Sequence, residues 1–160
     1  MEFNSDRKRM SIVLKDPSDG KYKLYIKGAD SIIKERLDPN QIDKEVMRDT
    51  DEFLNKASLK GLRTLLMGMK VIEESELKAF LGEVAEAEKD VINREKLLAL
   101  IYDKFERNIV LLGATAVEDR LQDNVPETIR DLQAAGIKIW MLTGDKLETA
   151  ENIGYSCKLL

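Results

Sequence analysis

Apolar and polar positions change rhythm several times along this chain, and the changes mark its elements. Residues 10–14 and 22–26 alternate in the two-residue period of strands, with Asp16-Pro17-Ser18-Asp19-Gly20 between them. That cluster is turn chemistry, so the two runs predict an antiparallel hairpin with a long loop. Asp30 is placed to cap a short helix over 31–37, and Asp38-Pro39-Asn40 breaks it. Ile42, Val46, Phe53, Leu54 and Ala57 fall on one helical face, and Gly61 stops that helix. Residues 63–72 read as an apolar strand, 75–88 and 93–105 as two charged helices, and 107–117 as another strand.

The pattern shifts after Glu118-Asp119-Arg120. A helix is expected over 125–134, with Pro126 in its first turn, where a missing N–H costs nothing. Gly136 ends it, 137–142 reads as a buried parallel strand, and 146–157 as a helix. Strand, helix, strand and helix in this order are how a parallel sheet begins, the opening of a doubly wound α/β unit. The expected fold class is therefore α+β, an antiparallel sheet with flanking helices over 1–118, followed by a partial α/β segment over 119–160. The strand at 137–142 has no sheet neighbours in the sequence after 118. Residues 119–160 are thus expected to be poorly covered, and an unpaired edge invites self-association.

Composition narrows the function. Of 160 residues, 43% are hydrophobic and 35% charged, which is globular. A net charge of -4 gives no global basic surface, so nucleic acid is not an expected partner. The longest apolar run, 109–117, is too short to span a bilayer. The chain has no His, which excludes triads and His-ligated zinc, and any metal would be a hard cation on oxygen ligands. One cysteine, Cys157, allows no internal disulfide and fits a reducing compartment.

Five segments carry candidate chemistry. Glu2-Phe3-Asn4-Ser5 sets an aromatic face beside small polar groups, and a ring can stack a nucleobase; a core Phe is the plainer reading. Lys8 lies in Arg7-Lys8-Arg9, which reads equally as a solvated edge-strand charge. Lys27 precedes Gly28, whose missing side chain permits close approach of a ligand. In Gly61-Leu62-Arg63-Thr64 the guanidinium can bind phosphate oxygens or join a surface ion pair. Thr143-Gly144-Asp145 follows the last strand-like run, where α/β sheets bind ligands. Asp145 with Glu148 also has capping-box spacing.

In this order the segments resemble a P-type ATPase. The series is Glu2-Phe3-Asn4-Ser5 with Arg7-Lys8-Arg9-Met10-Ser11, Lys27-Gly28-Ala29-Asp30, Gly61-Leu62-Arg63-Thr64, Glu118-Asp119 with Leu121-Gln122, and Leu142-Thr143-Gly144-Asp145-Lys146. Its wording is similar to the phospholipid-flipping branch; a cation-transporting member is the alternative. The resemblance implies a nucleotide-binding domain over 1–118 and the start of a haloacid-dehalogenase-like phosphorylation domain over 119–160. It implies that Phe3 stacks adenine, that Ser5, Lys8 and Lys27 line the base and sugar pocket, that Arg63 and Thr64 face the phosphates, and that Glu2 is among the nucleotide-binding residues. Glu118 and Asp119 would form the hinge, and Thr143, Gly144 and Asp145 would face the transferred phosphoryl group. ATP and Mg²⁺ follow as cofactors, with most magnesium ligands elsewhere and no metal ligand assigned in this chain.

The family's phosphorylated Asp-Lys-Thr-Gly-Thr and its Gly-Asp-Gly-x-Asn-Asp magnesium motif are absent from the sequence. The chain is expected to be a cytosolic fragment of an integral membrane protein, binding nucleotide without turnover. Phospholipid and membrane would be met only through other parts of the parent. A soluble phosphatase of the haloacid-dehalogenase type would need Asp-x-Asp closing a first apolar strand, which does not occur. A non-catalytic nucleotide-binding module, or an interaction module docking through the charged helices of 75–105, remains as a competing reading.

Overall fold

The computed structural model describes residues 1–118, 120–144 and 147–160, with Glu148 described by its backbone alone. The elements run β1 (Arg9–Lys15), β2 (Tyr22–Gly28), α1 (Asp30–Lys34), α2 (Lys44–Leu59), β3 (Arg63–Ile72), α3 (Glu74–Ala87), α4 (Arg94–Phe105), β4 (Val110–Val117), α5 (Val125–Ala134) and α6 (Leu147–Ser156). The strands form one sheet in the order β1-β2-β3-β4, with β2 antiparallel to both β1 and β3. The chain divides into two compact units: residues 1–47 with 65–113, and 48–64 with 114–160.

In the first unit the hairpin forms where turn chemistry places it. Asp16 Oδ1 accepts from the Ser18 amide at 2.8 Å, Asp19 Oδ1 accepts from the Lys21 amide at 3.0 Å, and Gly20 takes φ 72°. Lys23 donates to Asp16 at 2.6 Å; this bond and those from Ser18 hold the Asp16 carboxyl far below the usual carboxylate range. Register then sorts the faces. Gly28 pairs with Arg9 and Leu66, Ile26 with Ser11 and Gly68, and Leu24 with Val13 and Lys70, so these positions share one face. Leu24, Ile26 and Leu66 are buried there together with Ile33 of α1, Phe105 of α4 and Ile109. The Phe80 ring of α3 stacks on Phe105 at 3.8 Å, and Lys70 Nζ lies 4.6 Å from the Phe105 centroid. The opposite face carries Met10, Ile12, Leu14, Lys27, Met67 and Val71, all exposed.

Two boundaries differ from the sequence expectation for one reason. The short helix ends at Lys34 rather than 37, and the last strand starts at Val110 rather than 107. Between them Leu37 and Ile109 make a parallel bridge: the Ile109 amide donates to the Arg36 carbonyl at 3.0 Å, and the Asp38 amide to the Ile109 carbonyl at 2.9 Å. Asn108 turns into it at φ 59°. Asp30 is not a cap either. Ala29 precedes the helix, and the Asp30 carboxylate accepts from the next amide, Ser31, at 2.9 Å.

The second unit packs Leu54 and Ala57 of α2 inward, and Gly61 takes φ 71° against Asn152 of α6. Pro126 lies in the first turn of α5, as expected. The parallel strand expected over 137–142 does not form. These residues carry no helix or strand, with Trp140 81% and Leu142 94% exposed. A strand exists through ladder hydrogen bonds to a neighbour, and none reaches this run among the described residues.

Candidate functional site

The chain's first residues fold back along the outer edge of β1. The Met1 ammonium donates to the Ser11 carbonyl and the Ser11 amide to the Met1 carbonyl, each at 3.1 Å, and Asn4 bridges Arg9. Residues 5–8 make the connecting turn. Asn4 Oδ1 accepts from the Arg7 amide at 2.7 Å, the Asn4 carbonyl accepts from the Lys8 amide at 2.9 Å, and Lys8 takes φ 51°. Glu2, Phe3, Ser5 and Lys8 are all exposed on this turn.

The basic triplet divides into two roles. Arg7 donates to Glu106 Oε1 and, at 2.9 Å, to the Glu2 carbonyl. Arg9 Nε donates to Glu106 Oε2 at 2.7 Å, and its remaining nitrogens reach the Arg7 carbonyl and Asp103, each at 3.1 Å. Ser11 completes the shell of Glu106, donating to Oε1 at 2.5 Å. Glu106 is fully buried just past the end of α4. Both arginines are therefore neutralised inside the protein, while the Lys8 ammonium has no counter-ion among the described residues. Burial pushes the Asp103 carboxyl up. The hydrogen bond from Arg107 and the charges of Arg36 and Arg107 outweigh that and hold it below its ordinary value.

Sequence reasoning missed Glu106 and Asp103. A signal existed: Arg9 and Ser11 are polar on the strand face where Leu24 and Ile26 bury apolar side chains. Polar residues at inward strand positions need partners.

Lys8 and Lys27 come to the same end of the hairpin. The Lys8 carbonyl accepts from the Ala29 amide at 3.0 Å, and Lys27 pairs with Met10 on β1 and Met67 on β3. Lys27 stands exposed on the open face, also without an ion-pair partner among the described residues. The space beside Gly28 is not left for a ligand. A Cβ there would lie 2.6 Å from both the Lys8 carbonyl oxygen and Arg9 Cβ, so the protein's own turn fills it.

Phe3, 61% exposed, lines an open cavity of about 550 Å³ with Glu2, Asn4, Arg7 and the α4 residues Glu95, Leu98, Ala99 and Tyr102. That cavity includes neither Lys8 nor Lys27. It lies on the α4 side, whereas Lys27 is on the opposite face of the sheet.

In the second unit, Arg63 opens β3 exposed and Thr64 follows half-buried. Thr143 and Gly144 are exposed in the irregular run after α5. Asp145, the third member of that motif, and Asp119 of the hinge motif lie outside the described residues. Among the described residues no group of three acidic or cysteine side chains could hold a metal ion.

Comparison with known proteins gives this geometry a family. The sequence description of the P-type ATPase cytoplasmic domain N matches residues 1–124. The chain belongs to the P-type ATPases. This P-type ATPase chain is 50% identical to phospholipid-transporting ATPase IC of Homo sapiens, over 100% of its own length and 12% of that protein. It is 47% identical to probable phospholipid-transporting ATPase 12 of Arabidopsis thaliana, over 100% of its length and 13% of the relative. With phospholipid-transporting ATPase DRS2 of Saccharomyces cerevisiae the identity is 50%, over 99% and 12%. The chain thus spans about an eighth of the length of these curated relatives. No helix among its described residues is long and apolar enough to cross a membrane.

Proposed function

We propose that residues 1–118 are the cytosolic ATP-binding part, and 119–160 the start of the haloacid-dehalogenase-like phosphorylation domain, of an enzyme that couples ATP hydrolysis to phospholipid translocation. The names of the relatives support the substrate. The observation that carries nucleotide binding is the division of the basic triplet. The buried Glu106 carboxylate consumes Arg7 and Arg9, while Lys8 and Lys27 present ammonium groups without an ion pair among the described residues at one end of the hairpin. Phosphoryl transfer is chiefly positioning and charge neutralisation, and lysines serve both. Phe3, on the segment that leads into this turn, would offer a ring for a base, with Glu2 and Ser5 beside it in sequence. Arg63 and Thr64 would take the phosphates, and Thr143, Gly144 and Asp145 the transferred group. The chain binds nucleotide without turnover on this reading, since no acceptor Asp-Lys-Thr-Gly-Thr occurs in it.

Calorimetric titration with ATP tests this. Lys27→Ala and Lys8→Ala should each weaken binding about ten-fold, in line with loss of one charge-assisted contact of about 1.5 kcal/mol. Phe3→Ala should cost about 1–3 kcal/mol through lost stacking. Asp145→Ala should matter least. Wild-type affinity in Lys27→Ala, or Asp145→Ala as the most damaging change, would overturn the reading.

The exposed run at 137–142 supports a second component, pairing of isolated chains through its apolar residues. Light scattering should show a concentration-dependent dimer that Trp140→Ser weakens. A strictly monomeric wild type rules this out.

A further inference from the structure

We propose that Glu106 is the positioning residue of the nucleotide-binding turn: its buried carboxylate, acting through Arg7 and Arg9, sets the conformation in which Phe3 and Lys8 meet a nucleotide. This rests on the reading above that residues 2–8 bind nucleotide. Glu106 itself touches no candidate ligand, being fully buried. Its two oxygens instead hold the residues on either side of Lys8. Arg7 carries the constraint toward Phe3, because the same guanidinium donates to the carbonyl of Glu2 at 2.9 Å and lies 5.3 Å from the Tyr102 ring centroid. Arg9 carries it toward Lys8 by donating to the Arg7 carbonyl at 3.1 Å. That carbonyl belongs to the peptide whose N–H is the Lys8 amide. The left-handed backbone of Lys8, at φ 51°, is unusual for a lysine and needs such outside support.

Charge follows from the same contacts. With the Glu106 carboxylate in place, Lys8 is the cation left without an ion pair in the turn that follows Phe3, among the described residues, because Arg7 and Arg9 are neutralised. Without that charge, Arg7 is released and the turn becomes more basic but less ordered. Binding of a bare polyphosphate should survive this change, while binding of a nucleotide, which needs the ring and the ammonium in fixed relation, should not. A merely structural role would weaken both alike.

The test compares ATP with inorganic triphosphate by calorimetry on the full chain, in wild type, Glu106→Gln and Arg7→Met. Arg7→Met leaves the Arg9–Glu106 pair in place and so guards against loss of folding in Glu106→Gln. Hydrogen exchange is followed at the Arg7 and Lys8 amides and at Leu24, Ile26 and Leu66. Either folded variant should bind ATP about ten-fold more weakly while triphosphate affinity stays within about two-fold, an effect on the scale of one charged hydrogen bond. The turn amides should accelerate by a larger factor than those of the sheet, whose rates follow overall stability. Unchanged ATP affinity, equal loss for both ligands, or uniform acceleration of all five amides overturns the proposal. If wild type binds no ATP, the functional reading fails, and the exchange rates alone decide whether Glu106 sets the turn.

Discussion

Glu106→Ala is expected to cost about 3–5 kcal/mol of stability, the usual cost of removing one member of a buried ion pair. The carboxylate is fully buried and accepts from Arg7, Arg9 and Ser11. Its removal leaves the Arg9 side chain, only 6% exposed, with Asp103 as its remaining carboxylate. Ser11, itself buried, loses the carboxylate acceptor of its hydroxyl and keeps the weaker Met1 sulfur at 3.6 Å. Against a typical total of about 5–15 kcal/mol, this change consumes a large share. Urea unfolding followed by circular dichroism should show the midpoint falling by about 2 M, taking a slope of about 2 kcal/mol/M. Replacing the whole constellation with apolar side chains should restore much of the loss, since buried pairs contribute little net stability when both members go. A midpoint unchanged in the alanine variant would mean that water reaches the arginines.

Gly28→Ala should also destabilise the protein, though less, and for steric rather than conformational reasons. Its backbone is not left-handed; the glycine is required because Lys8 and Arg9 cross directly over it. The new methyl would meet the Lys8 carbonyl oxygen and Arg9 Cβ at 2.6 Å and Arg9 Cα at 2.9 Å. None of these atoms is the loose end of a flexible side chain, so the backbone itself must move. Overpacking of this kind costs about 1–3 kcal/mol. The shift would also break the bond from the Ala29 amide to the Lys8 carbonyl. Thermal unfolding should register the destabilisation, and ATP titration a loss comparable to Lys8→Ala. Full stability together with normal binding would show that the two segments part without cost.

The hairpin, the two charged helices and β3 were legible because each rests on local information: period-two alternation, turn residues or helical periodicity. The span of β3 was read to the residue. Failures fell where distant segments decide. Nothing near Leu37 or Ile109 announces their bridge, yet it shortens both neighbouring elements. Residues 137–142 have the composition of a buried strand, but composition supplies no partner. For the candidate site, motif order singles out Phe3, Lys8, Lys27, Arg63 and Thr143 as candidates. It could not separate Lys8 from Arg7 and Arg9, since that distinction depends on Glu106, 97 positions beyond Arg9.

The placement of Trp140 has a consequence for how unfolding is observed. It is the chain's single tryptophan. It stands 81% exposed in a run with no regular structure, in the second unit. Its indole already sits in a water-like setting before any denaturant is added. Intrinsic tryptophan emission is therefore nearly silent on the melting of the antiparallel sheet, and a flat fluorescence trace would look like resistance to urea while the sheet dissolves. The same silence becomes useful when something covers the run at 137–142. A blue shift then reports that covering event alone, against almost no background from the rest of the protein.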